Sequence, residues 1–94
     1  MIPTPEDVLA VLSDQPRKVG DLGLLLVGAA DAGGEPIGAF LAARGLSLSA
    51  VQKVLDGLVS KGLAKELRGR ELWDSFQDGL GANAKGRHFV RWSS

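Results

Sequence analysis

The chain has no cysteine and only one histidine in its 94 residues. Without thiols there is neither a disulfide framework nor thiolate chemistry, and a cytosolic, cytoplasmic setting is the default expectation. The lone histidine, His88, allows no multi-histidine metal site, and no cysteine is present to complete a ligand set. His88 is therefore expected to be a packing or surface residue. No cofactor is implied either, because the glycines form no Gly-x-Gly-x-x-Gly or Walker pattern. No pair of carboxylates can be placed on one face, and a Ser/His/Asp arrangement has little to draw on, so enzymatic activity is not expected. Long hydrophobic runs are also lacking. The stretch from Leu22 to Ala32 is broken by Gly23, Gly28 and Asp31 and is too short to span a bilayer. The N-terminus shows no basic region leading into an apolar core, so no signal peptide and no membrane partner are expected.

An excess of either charge is missing too: 11 basic and 11 acidic side chains give a net charge of zero. On its face this argues against a nucleic-acid partner. The charges are unevenly placed, however. Residues 1–46 hold three basic and six acidic side chains, a net of −3, and residues 47–94 hold eight and five, a net of +3. The halves cancel in the sum without having to cancel in space, since salt screens charges more than about 10 Å apart.

What is present reads as one ordered domain over residues 1–94: hydrophobic residues make up 45% and charged ones 23%, the ordinary globular range. Thr4 as cap, Pro5 at the first helical position and acidic Glu6 and Asp7 open a first helix. Val8, Leu9, Val11 and Leu12 supply its buried stripe, and Pro16 stops it near Asp14. Arg17 and Lys18 fall in the connection. The segment Val19–Ala32 reads as a second helix, with Leu22, Leu25, Leu26 and Ala29 at helical spacing. Its leucines offer a dimer surface or, more plainly, a core face. The run 31–35 is a break.

The stretch 36–63 is the most informative. Pro36 opens a short helix with Ile37, Phe40 and Leu41 inward, and Arg44-Gly45 closes it, glycine being suited to the left-handed turn that ends helices. Ser47 then caps a new helix, 48–61, across which Leu46 and Val51 are placed as a hydrophobic staple. Val51, Val54, Leu55, Leu58 and Val59 make one apolar face. Gly62 ends it and sets Leu63 to fold back on Leu58. Two helices joined by a short turn around Gly45 form a helix-turn-helix unit.

The string from Ile37 through Gly45-Leu46-Ser47 to Lys61-Gly62-Leu63-Ala64 resembles the helix-turn-helix of bacterial winged-helix regulators of the multiple-antibiotic-resistance type. In that group "Gly-Leu-Ser" leads into the recognition helix and "Leu-x-x-Lys-Gly-Leu" leads out of it into the wing. The likeness covers about a third of the chain. It implies an α+β, mostly α, winged helix-turn-helix domain with a short β-wing at about 63–81, binding double-stranded DNA as a small bacterial or phage transcriptional regulator. Ala82-Asn83-Ala84-Lys85-Gly86-Arg87 is similar to the segment that starts the helix after the wing, with Asn83 as cap. That reading puts His88–Trp92 in a helix; the other makes Arg87–Trp92 the last strand, and both stand open. Ala64–Arg68 reads as the first wing strand and Arg68-Gly69-Arg70 as a basic wing tip. Residues 71–81 fit no clear period.

The outer face of a recognition helix enters the major groove by its N-terminal part. That face offers Ser47, Ser49, Ala50, Gln52 and Lys53. Gln52 can pair bidentately with adenine, Lys53 can reach guanine or phosphate, and Ser49 either base or phosphate. A solvated helix face is the plain alternative, and the helix-turn-helix setting favours DNA. Arg68 and Arg70 suit phosphates or a minor groove, and Arg44 a backbone phosphate. Lys65, Lys85, Arg87 and Arg91 are further basic residues whose faces the sequence leaves open. Asp56 counts against tight electrostatic binding. With so few contacts per chain, either a homodimer or several copies on adjacent half-sites is expected. The alternatives are a winged-helix module for a protein partner, or an accessory domain of a replication, partition or conjugation complex. An electropositive patch joining Lys53, Arg68 and Arg70 would favour DNA; an exposed apolar patch at Trp73 and Phe76 would favour a protein.

Overall fold

In a computed structural model, which describes residues 2–68 and 87–92, the chain begins with a fully formed capping box. The Asp7 N–H donates to Thr4 Oγ1 at 3.1 Å and the Thr4 N–H to Asp7 Oδ2 at 3.3 Å, satisfying two donors that a helix start otherwise leaves open. The helix they begin, α1 (Pro5–Val11), ends three residues short of the expected Asp14. Leu12 is already extended, and the Ser13 carbonyl instead accepts the Arg91 N–H at 2.7 Å. A tertiary bond thus takes the chain out of its helix before Pro16 does.

Arg17–Lys18, expected as mere connection, form a two-residue strand, β1. Helix α2 (Val19–Leu26) follows at once and stops well before Ala32, correcting the longer helix read from the sequence. The Ala29 N–H turns back to the Leu24 carbonyl at 2.9 Å, which closes the helix. The buried face is also rotated from the expected one: Val19, Leu22, Gly23 and Leu24 are buried and Leu25 is exposed. The cause is Gly23. A Cβ there would stand 2.5 Å from Leu41 Cδ1, far inside carbon–carbon contact distance, so this glycine is where the next helix crosses. Leu22 and Leu24 are in the core and Leu26 is partly buried against it, so of the α2 leucines only Leu25 is exposed.

The pair over 36–63 is present as expected: α3 (Ile37–Ala42), then α4 (Leu48–Ser60). Gly45, at φ 80°, makes the turn between them, and the Leu46 N–H reaches back to the Leu41 carbonyl at 2.9 Å. A side chain at this φ would be strained. The same closure ends α4, where the Leu63 N–H donates to the Leu58 carbonyl at 2.9 Å. Leu46 and Val51 are both buried, as the staple requires.

The strands β2 (Ala64–Leu67) and β3 (His88–Arg91) are the last elements among the described residues. The sheet order is β1-β3-β2, all antiparallel, with Arg17 opposite Phe89 and Leu67 opposite His88. This decides the open question over His88–Arg91 in favour of strand. Phe89, fully buried, joins Leu22, Leu41, Leu55 and Leu58 in one core. His88 is buried as well. Among the described residues the architecture is α+β, with four helices and a small three-stranded antiparallel sheet. The rest of the expected wing, including Gly69, Arg70, Trp73 and Phe76, and the cap Asn83 expected after it, lie outside the described residues.

Candidate nucleic-acid interface

Helix α4 is positioned by its apolar side. Val51, Leu55 and Leu58 are buried against α1, α2 and β2. Residues three and four apart share a helix face, so Ser49, Lys53, Asp56 and Ser60 are carried to the opposite, exposed side. Ser47 occupies the cap position, yet among the described residues no side chain caps the first turn of α4. The Ser47 hydroxyl is instead hydrogen-bonded to that of Ser49 at 2.7 Å. The first-turn N–H groups thus keep the partial positive charge of a helix start.

Ala50 and Gln52 are half-buried at the flanks of this face, and Lys53 is exposed with no ion pair among the described residues. Gln52 borders a groove of about 310 Å³ together with Lys18, Gly20, Asp21, Ile37 and Arg87. It offers amide, ammonium and guanidinium donors beside one carboxylate. Arg44 is differently placed from the outward reach expected of it. Its guanidinium lies 3.6 Å from the Phe40 ring centroid and donates to the Phe40 carbonyl at 3.2 Å, closing the end of its own helix.

The residue that organises the other half of the site is Arg87, whose face the sequence left open. Its guanidinium forks onto Glu66, Nε to Oε2 at 3.0 Å and one terminal nitrogen to Oε1 at 2.9 Å. The same nitrogen donates to Asp56 at 2.7 Å. Arg68 adds a fourth contact, to Glu66 at 3.1 Å. One arginine therefore ties α4 to β2 and to the start of β3. The Glu66 side chain is only 13% exposed. The hydrogen bonds from Arg87 outweigh burial there and, helped by Arg68, hold its carboxyl at about 2, well below the usual value. The carboxylates of Glu66 and then Asp56 in turn raise Arg87, which stays charged throughout. Asp56, expected to oppose DNA, is thus paired within a set in which Arg87 and Arg68 together balance Asp56 and Glu66.

Seven of the eight residues proposed from the sequence can be placed. Ser47, Ser49, Ala50, Gln52 and Lys53 come together on the first two turns of α4. Arg68, 77% exposed at its side chain, is linked to that helix through Glu66, Arg87 and Asp56. Arg44 is turned back on α3, and Arg70 lies outside the described residues. Arg87 and Lys18 are the additions. Arg87 meets its partners across 21 and 31 residues of chain, a separation at which no local pattern signals a contact. Among the described residues no cluster of potential metal ligands occurs, and no helix is long and apolar enough to cross a membrane. Compared with protein-family profiles, with curated proteins and with solved structures, the chain matches none.

Proposed function

We propose that this chain is a winged helix-turn-helix domain that binds double-stranded DNA, in the manner of a small bacterial or phage transcriptional regulator. The observation that carries the reading is the outer face of α4. Ser49 and Lys53 project from a helix whose opposite side is anchored in the core, while Asp56, one turn on from Lys53, is paired with Arg87. A helix presented in this way fits a major groove. Gln52 would read adenine, and Ser49 and Lys53 a base edge or phosphate. Arg68, at the far end of β2, would lie along the backbone and set orientation without reading sequence. The order helix, turn, helix, then a β2–β3 pair, agrees with this assignment.

Anisotropy titration of the chain against mixed-sequence duplex at about 50 and 200 mM salt tests it, because phosphate contacts weaken steeply over that range. Salt-sensitive binding is the expected outcome. A folded chain with no affinity at the lower salt overturns the reading.

A further inference from the structure

At the opposite end of α4 from Ser49 the surface changes character. A groove of about 410 Å³ is lined by Leu9, Leu63 and Trp92, with Asp14 and Arg91 beside them. Leu63 is 39% exposed and Trp92 46%. Two large apolar side chains thus stay exposed in one concavity with polar residues at its rim. Its walls are held by backbone bonds rather than by collapse of side chains. The Trp92 N–H donates to the Leu63 carbonyl at 3.1 Å, the Arg91 N–H to the Ser13 carbonyl at 2.7 Å, and Leu63 is tied to the end of α4. The Lys65 ammonium stands 4.8 Å from the Trp92 ring centroid, a cation–π contact that orients the ring. A preformed groove avoids much of the ordering entropy of association.

The charges point to one occupant. Asp14 and Arg91 are both exposed, and neither forms an ion pair among the described residues. One acid and one base on the same groove make the surface self-complementary. About a two-fold axis, Asp14 of each copy meets Arg91 of the other, as an isologous contact requires. The net charge of zero adds no long-range repulsion between copies. We propose that this groove is a homodimer face, in which a second copy of the chain packs its own Leu9, Leu63 and Trp92 against those of the first, with the two Asp14–Arg91 pairs at the edges. The thirteen residues of α4 put about 20 Å between this face and Ser49, so pairing leaves the proposed DNA face open. The dimer itself does not rest on the DNA reading.

Sedimentation velocity of the full chain over a concentration series tests the proposal, with circular dichroism as the check on folding. A reversible dimer is expected. D14R and R91D, each alone, put like charges at both contacts and weaken association by at least about tenfold. Trp92→Ala weakens it by at least about tenfold through loss of the aromatic anchor. An equal mixture of D14R with R91D restores the dimer, since only the mixed pair has opposite charges at both contacts. A chain that stays monomeric at all concentrations, a dimer indifferent to these substitutions, or a mixture no more associated than its components overturns the proposal. D14R and R91D lie at exposed positions, so the test stands even if Trp92→Ala lowers stability.

Discussion

The two halves of α4 use the same helical scaffold for opposite purposes. Near its start, the polar side chains bond to one another or face solvent, and Lys53 has no ion partner among the described residues. Past the middle, Asp56 enters a set of charges with Arg87 and the nearly buried Glu66, which Arg68 joins only from an exposed position. The difference shows where side chains serve the fold and where they remain available. A charge committed to a nearly buried partner cannot be withdrawn without loss of stability, whereas an exposed, unpaired one contributes little to folding.

Arg87→Ala breaks the comparison most strongly. It leaves the nearly buried Glu66 with only Arg68 as counter-charge, and unfolding by urea should show a loss of about 2–3 kcal/mol. Lys53→Ala, by contrast, should change stability by less than about 0.5 kcal/mol.

Acid sharpens the same contrast. Glu66 has its carboxyl lowered to about 2 from an ordinary 4.5. The stability this supplies is fully present above the ordinary value and lost as pH falls through the lowered one. Melting temperatures should therefore decline between roughly pH 4.5 and pH 2, and Glu66→Gln should flatten that part of the profile. A slope unchanged in Glu66→Gln would assign the acid sensitivity to other carboxylates.

On the proposed DNA reading, binding reverses the ranking. Removing Lys53 or Arg68, if each meets a phosphate or base, should lower the salt slope of binding by about one unit per contact, as read by anisotropy. Loss of affinity with Arg87→Ala but not with Lys53→Ala would move the contact surface from the helix to the sheet.

A gain rather than a loss is expected at Gly57, which lies on the exposed side one residue past Asp56 and whose added Cβ would meet nothing within 4 Å among the described residues. Gly57→Ala should raise stability by about 0.4–1 kcal/mol, because alanine restricts the unfolded chain more than glycine does. Differential scanning calorimetry checks it, and no change would show that this part of α4 already frays.

Much of the helical half of the fold was legible in the residues alone. The cap at Thr4, the glycine turn at Gly45, the staple of Leu46 with Val51 and the apolar face of α4 through Leu58 are local patterns, although Val59, expected on that face, is exposed. Each depends on residues within about one or two helical turns, where spacing dictates contact. The α4 part of the candidate site was legible for the same reason, since burying Val51, Leu55 and Leu58 sends Ser49 and Lys53 outward. Tertiary structure alone decided the rest. Strand β1 is two charged residues long, too short for any period, and exists only because β3 pairs with it. His88–Arg91 became strand through hydrogen-bonding partners on both sides. Helix α2 took its buried face from the crossing at Gly23. Arg87 acquired its role by meeting Glu66 and Asp56 across long stretches of chain. Capping and periodicity act within a segment and are written in it, whereas strand pairing, helix crossing and ion pairing arise only when distant segments meet.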